Sequence, residues 1–152
     1  MSKSVLPKVL VIEDNCDAEI LKMAFEAYGF EIELVEFLPP HKFDPFYDDL
    51  VKRLQEDEFE FIVCDGSVRG EGSSVVETYE HLIPLIRPHV GLIVANSNSA
   101  ENRNKQMEAQ CDIEGIMTVD GKKNWLALAA ELERIFNEGR DPSVQNTVAQ
   151  AA

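Results

Sequence analysis

Short apolar runs alternate with amphipathic stretches along this chain. Residues 30–37 alternate apolar and acidic side chains, which predicts a half-exposed edge strand. Residues 113–119 form a further candidate strand, and residues 65–74, rich in Gly and Ser, predict a loop. Nearly continuous apolar runs predict strands buried on both faces, and they span residues 8–12, 59–64 and 90–95.

The stretches between these strands carry apolar residues at helical spacing. Gly29 stands where a helix ends, Asp44 and Pro45 form a helix start, and Ser73 or Ser74 can cap a third helix. Strands and helices therefore alternate, which predicts an α/β domain with a parallel sheet covered on both faces. The predicted helices span residues 15–28, 45–55, 74–86, 101–110 and 125–137.

Composition and charge narrow the possible partners. The chain has 152 residues and a formal net charge of −14, which argues against nucleic acid and anionic membranes as partners. No apolar run approaches the roughly 20 residues of a membrane span. The three cysteines show no CxxC spacing and no signal peptide is recognisable, so we expect a cytoplasmic protein. We expect one domain over residues 1–138 and a disordered tail over residues 139–152.

Two of the predicted strands end in acidic residues. Glu13 and Asp14 follow the first strand, and Asp65 follows the third. Ligands of open α/β sheets bind at the carboxyl ends of the strands, and clustered carboxylates suit a hard cation such as Mg²⁺. Taken singly, these residues also fit simpler roles. Asp14 or Asn15 can cap the next helix, and Asp65 can belong to a turn.

The string VLVIEDN, an apolar strand ending in two acids, resembles the start of the receiver domain of two-component response regulators. FIVCD places Asp65 at that family's phosphorylated aspartate. IVANSNS places Ser97 at its serine or threonine, although a shift of one residue would place Asn96 there. The resemblance covers about residues 7–137. It implies a flavodoxin-like (βα)5 doubly wound parallel sheet with strand order 2-1-3-4-5.

The resemblance also implies a chemistry. Asp65 would accept a phosphoryl group from a histidine kinase, with Mg²⁺ held by Glu13, Asp14, Asp65 and the backbone carbonyl of Ser67. Ser97 would then hydrogen-bond the phosphoryl oxygens. Positioning and charge stabilisation supply most of the catalysis in phosphoryl transfer.

The fifth strand departs from the family pattern. Receivers carry a lysine followed by proline there, but counting along GIMTVDGKKN places Val119 at the lysine position. We favour Lys122 as the lysine that reaches back to the acidic site, with Lys123 or neither as the alternatives. Ile116 stands where receivers often carry an aromatic switch residue.

The function implied is that of a stand-alone response regulator receiver. It is a signalling acceptor that phosphorylates itself, and could dephosphorylate itself, rather than an enzyme with a separate substrate. Its expected partners are a histidine kinase or phosphotransfer protein and a downstream effector protein. The departures leave open a receiver-like interaction module (a pseudo-receiver) that acts without efficient phosphorylation. A small hydrolase with Asp65 as nucleophile is disfavoured, because the chain has no DxDxT motif.

Overall fold

The computed structural model describes residues 6–14, 16–71, 74–89 and 91–140 of the chain. The strands are β1 Lys8–Ile12, β2 Glu31–Val35, β3 Phe61–Cys64, β4 Ser67–Arg69, β5 Val75–Glu77, β6 Ile93–Ala95 and β7 Ile113–Glu114. The helices are α1 Ala18–Glu26, α2 Pro45–Gln55, α3 Thr78–His81, α4 Ile83–Ile86, α5 Ala100–Glu108 and α6 Trp125–Arg140, with a 3-10 turn at Arg87–His89.

The main sheet has five strands in the order β2-β1-β3-β6-β7, and every neighbouring pair is parallel. Counted along this sheet, the order is 2-1-3-4-5, so the α/β fold and the strand order expected from the sequence are confirmed. Ile12 pairs with Cys64, and Cys64 pairs with Ala95. The three central strands therefore end at the same edge of the sheet.

Both faces of the sheet are buried, which explains why β1 and β3 are continuous apolar runs. Leu10 and Ile62 belong to the core on the side of α2 and α4. Val11 and Val63, one residue further along each strand, belong to the core on the side of α1 and α6. Phe30 lies at the centre of this second core, where it makes edge-to-face contacts with other aromatic rings at centroid distances of 5.9–6.2 Å.

The helix boundaries follow from capping. Asp44 accepts a hydrogen bond from the Phe46 amide at 2.9 Å with Pro45 in the first turn, as the sequence predicts. Helix α1 is capped by Asp17, whose carboxylate accepts from two amides of its first turn. Asp14 therefore does not cap α1, and Asn15, the other candidate cap, lies outside the described residues.

The segment after β3 differs from the predicted loop and long helix. Strands β4 and β5 form an antiparallel hairpin, and the helix expected over residues 74–86 is reduced to the short helices α3 and α4. Two β-branched residues, Val75 and Val76, favour the strand, and Pro84 has no amide to continue a helix across Leu82. Ser74 donates to the Glu71 carbonyl at 2.5 Å, so it closes the hairpin turn. Ser73 lies outside the described residues.

The fifth strand of the main sheet is also shorter than predicted. Strand β7 ends at Glu114, and the chain then turns back on itself, with Met117 pairing antiparallel to Lys123. Gly121 has φ +80° at this turn, a conformation that glycine adopts at low cost. We call residues 117–123 the terminal hairpin.

Helix α6 continues to Arg140, past the predicted start of the tail at Gly139. Residues 141–152 lie outside the described part of the chain. Among the described residues, no helix has the length and apolar character that crossing a membrane requires.

Arg53 fastens α2 to the edge of the sheet. Its guanidinium donates to both carboxylate oxygens of Glu33 on β2 and to both of Glu58, at 2.6–2.8 Å. Lys8 adds a hydrogen bond to Glu58 at 3.3 Å. The hydrogen bonds from Arg53 lower the pKa of Glu58 to about 2, and they lower the pKa of Glu33 as well.

Arg53→Met should lower the free energy of unfolding near neutral pH by about 1 kcal/mol. Because both carboxyl pKa values are depressed in the folded state, this stabilisation is complete above their unfolded values of about 4.3 and is lost as the pH falls toward about 2. Urea unfolding over this range should show the two proteins converging. Lys52→Met, an exposed neighbour with the same charge change, is the control and should show no such convergence.

Candidate functional site

Three carboxylates meet at the carboxyl edge of the sheet. Because Ile12 and Cys64 are paired, the residues that follow them, Glu13 and Asp65, are neighbours across β1 and β3. Carboxylate oxygens of Glu13, Asp14 and Asp65 all lie within 4.8 Å of one another. Glu13 is only 1% exposed, so its charge needs compensation from nearby groups. The structure thus brings together the acids that the sequence singled out.

The β4–β5 hairpin fixes the orientation of Asp14. The Arg69 amide on β4 donates to Asp14 Oδ2 at 2.8 Å, and the Arg69 guanidinium donates to the Asp14 carbonyl at 3.2 Å. This contact keeps the Asp14 carboxylate beside the other two acids instead of in solvent.

The same hairpin determines where the Ser67 carbonyl faces. The Gly66 carbonyl accepts a hydrogen bond from the Thr78 amide, and the Gly70 amide donates one to the Ser74 carbonyl. The backbone groups of Gly66 and Gly70 therefore face the β5 side. In an antiparallel pair the bonding direction alternates with each residue, so Ser67 and Arg69 face away from β5. The Arg69 amide, which bonds Asp14, shows that this direction leads to the acidic group. The Ser67 carbonyl therefore faces the same side of the hairpin as the Arg69 amide.

The lysine that reaches the acidic group is Lys123, and the choice of Lys122 from the sequence is wrong. Lys123 Nζ lies 3.0 Å from Asp65 Oδ1 and also contacts Glu13 Oε2, and its side chain is 11% exposed. Lys122 is exposed at the rim of the same cavity.

The terminal hairpin explains the displaced lysine. It inserts a turn between β7 and the lysine, so Val119, at the position found by counting, lies fully exposed at the tip. The chain then returns and brings Lys123 beside the acids. The Asp120–Gly121 pair, a frequent reverse-turn sequence, was the signal that could have indicated this return.

Ser97, rather than Asn96, lines the cavity above Asp65. Ser97 is 3% exposed, and its hydroxyl would lie 2.8 Å from a Cβ built on Gly66, the residue after Asp65. Asn96 follows the strand residue that pairs with Cys64, but its amide faces Gly115, where an added Cβ would come within 2.2 Å of Oδ1. The side-chain nitrogen and oxygen of Asn96 are buried without a hydrogen-bond partner in the described part of the chain.

The site is an open cavity of about 450 Å³. Three carboxylates face two cations, the Lys123 ammonium and the Arg69 guanidinium, whose Nε lies 3.8 Å from Asp14 Oδ2. One formal negative charge remains, which favours a cation over an anion at this position. An all-oxygen ligand set suits Mg²⁺. The predicted site residues that line the cavity are Glu13, Asp14, Asp65, Ser67, Ser97 and Lys122, together with Lys123.

A layer of buried polar groups below Asp65 was not predicted. Thr78 donates its hydroxyl to the Asp65 carbonyl, and Gln106 donates its side-chain amide to the carbonyls of Cys64 and Asp65 at 2.9 and 3.0 Å. Gln106 lies on α5, a helix so polar that the sequence offers no signal for a buried residue. Only the packing of α5 against α3, β6 and β7 identifies it.

The cysteines stay outside this chemistry. Burial is the main cause that raises the pKa of Cys16 to about 11, that of Cys111 to about 12 and that of Cys64 well above its ordinary value. All three thiols are therefore protonated near neutral pH and offer no thiolate ligand or nucleophile.

Comparison with protein-family models and with curated protein sequences gives no match. Comparison with solved structures does. A CheY-like response regulator receiver domain from Methylobacillus flagellatus superposes with a TM-score of 0.51 at 18% identity, over 88% of this chain and 98% of that one. The chemotaxis response regulator CheY4 of Vibrio cholerae gives 0.51 at 15% identity, over 86% and 99%.

The signal receiver domain of a modulated diguanylate cyclase from Desulfovibrio desulfuricans also gives a TM-score of 0.51, at 14% identity, over 90% of this chain and 100% of that one. Identities this low show the fold alone. The strand order and these superpositions lead to one conclusion. The chain has the fold of the receiver domains of response regulators.

Proposed function

We propose that this protein is a response regulator receiver that accepts a phosphoryl group on Asp65 in a Mg²⁺-dependent reaction and signals by protein–protein contact. The observation that supports this most is the meeting of three acids, Ser97 and Lys123 in one open cavity. Carboxylates alone would suggest a cation site, but the added lysine and hydroxyl are what a phosphoryl group needs.

In the proposed reaction an Asp65 oxygen attacks the phosphorus of a phosphohistidine. The new O–P bond forms as the N–P bond breaks, and the electron pair of the N–P bond goes to the imidazole nitrogen. The ring leaves as a neutral imidazole when its other nitrogen already carries a proton. Asp65 Oδ1 accepts from the Gly66 amide at 2.7 Å and contacts Lys123 at 3.0 Å, which leaves Oδ2 as the attacking oxygen. A carboxylate attacks through an oxygen lone pair and has no proton to lose in this step, so no base is needed.

The remaining site residues hold the metal and the transferred group. Glu13, Asp14, Asp65 and the Ser67 carbonyl would bind Mg²⁺, which supplies charge neutralisation for the incoming phosphoryl oxygens. Once Asp65 carries the phosphoryl group, Lys123 is close enough to pair with one of its oxygens and Ser97 to donate to another.

The partners and location follow from this proposal. The phosphoryl donor is a histidine kinase or phosphotransfer protein, the reader is an effector protein, and both meet the receiver in the cytoplasm. The net charge of −14 disfavours direct contact with nucleic acid or anionic lipid. The protein would modify and demodify only itself, without turning over a separate substrate.

One observation supports the second candidate, a pseudo-receiver that binds partners without efficient phosphorylation. Lys123 contacts both Glu13 and Asp65 directly, so its ammonium already occupies part of the space and charge that a metal ion would use. Phosphorylation and metal binding separate the two candidates.

Incubation with Mg²⁺ and acetyl phosphate should add one phosphoryl group, measured by intact mass. Asp65→Asn should abolish this addition because an amide oxygen is a poor nucleophile. Asp49→Asn, an exposed residue of α2 with the same chemical change, should be phosphorylated like the native protein. No mass increase in the native protein, under conditions that modify an ordinary receiver, would favour the pseudo-receiver.

Lys123→Met should slow phosphorylation by about 100-fold, because a donor to the developing phosphoryl charge is lost. The same change should tighten Mg²⁺ binding by at least about threefold, because it removes a positive charge near the ion. Trp125, the chain's single tryptophan, lines the cavity with its ring centroid 5.9 Å from Lys123 Nζ, so its fluorescence should report the Mg²⁺ titration.

Lys122→Met is the matched control, since it removes the same charge one residue away from an exposed position. It should leave the phosphorylation rate and the Mg²⁺ affinity within about twofold of the native values, as expected for exposed charges. Equal effects of the two substitutions would contradict a direct role for Lys123.

A further inference from the structure

Helix α5 is attached to the domain in an unusual way. Among its residues Ala100–Glu108, the fully buried one is polar: Gln106 is 0% exposed, while the others are exposed or half-buried. The helix therefore lacks the apolar stripe by which surface helices usually pack. Its seat depends on hydrogen bonds, which are directional and sensitive to distance.

The amide nitrogen of Gln106 is anchored on the end of β3. It donates to the Cys64 carbonyl at 2.9 Å and to the Asp65 carbonyl at 3.0 Å, and it lies 3.3 Å from the Thr78 hydroxyl. Thr78 donates to the same Asp65 carbonyl, so this end of the network is doubly supported.

The amide oxygen of Gln106 faces the other side of the site. It accepts from the backbone amide of Ser97 at 3.4 Å, near the outer limit for such a bond. Arg103, one turn earlier on α5, donates to the Ser97 carbonyl at 2.7 Å. Helix α5 is thus hydrogen-bonded to both backbone groups of Ser97, by a short bond from Arg103 to its carbonyl and by a long bond from its amide to Gln106.

We propose that Gln106 is a positioning residue that couples the phosphorylation state of Asp65 to the position of helix α5 through Ser97. The inference rests on the proposed function of Asp65. It adds that the buried side-chain amide of Gln106 links the end of β3, Ser97 and helix α5.

The geometry supplies the coupling. Ser97 lies against Gly66, so a phosphoryl group on Asp65 draws its hydroxyl toward the new oxygens. The Ser97 backbone then moves relative to Asp65. Gln106 is hydrogen-bonded both to Ser97 and to the carbonyls of Cys64 and Asp65. Its longer bond to Ser97 changes in length when Ser97 moves, while its shorter bonds to the two carbonyls persist. Because α5 has no apolar stripe packed on the domain, a change in these hydrogen bonds changes the position of the helix.

The test compares hydrogen–deuterium exchange of the α5 amides, with Mg²⁺ present, before and after addition of phosphoramidate. The native protein should show a severalfold change in exchange within residues 100–108. Gln106→Met, which keeps the length of the side chain but lacks its hydrogen bonds, should be phosphorylated and should lose this change. Thr78→Val is the control and should keep the change. It removes a hydrogen bond to the Asp65 carbonyl and the 3.3 Å contact with the Gln106 nitrogen, but it leaves the Gln106–Ser97 bond in place.

A merely structural role for Gln106 predicts that both variants lose stability alike and keep the response of α5, and that result would overturn the proposal. A native α5 that does not respond although intact mass shows phosphorylation would overturn it as well, while leaving the function of Asp65 intact. No phosphorylation of the native protein removes both. Should Gln106→Met fail to fold, the side-chain amide NMR signals of Gln106 in the native protein decide: they must shift on phosphorylation.

Discussion

The whole arrangement depends on like charges held together at the ends of two adjacent parallel strands. Pairing of Ile12 with Cys64 forces Glu13 and Asp65 into neighbouring positions, and Glu13 is almost fully buried there. Such a group is unfavourable unless positive charge is supplied. Lys123 supplies one positive charge and Arg69 a second beside Asp14, so one formal negative charge remains. The proposed function and the electrostatic balance of the site thus depend on the same residues.

Two hairpins outside the main sheet complete the site. The β4–β5 hairpin directs the Arg69 amide onto Asp14 and places the Ser67 carbonyl on the same side of β4. The terminal hairpin returns the chain so that Lys123 lies over them. Each replaces a segment that the sequence pattern assigned to loop, helix or strand. The sheet provides the position of the acids, and the hairpins provide their partners.

The polar attachment of α5 links the site to the surface. Gln106 and Arg103 hold the helix through the backbone of residues that border the cavity, Asp65 and Ser97. An apolar seat would tolerate small shifts, because dispersion contacts have no preferred direction. Hydrogen bonds weaken when donor and acceptor shift by a small distance, so a movement of Ser97 changes the contacts that hold helix α5.

The sequence by itself determined the strand order, the helix start at Asp44 and the edge at which Glu13, Asp14 and Asp65 meet. The helix start and the alternation of strands and helices follow from apolar periodicity and local capping, which depend on short stretches of chain. The strand order was implied by the resemblance of these stretches to receiver domains. Only the tertiary structure decided that Lys123 and not Lys122 reaches Asp65, and that Gln106 is buried beneath it. Both outcomes depend on how segments distant in sequence approach one another. A reverse turn displaces the lysine by several positions, and the polar helix α5 is buried at the one residue that meets the carbonyls at the end of β3.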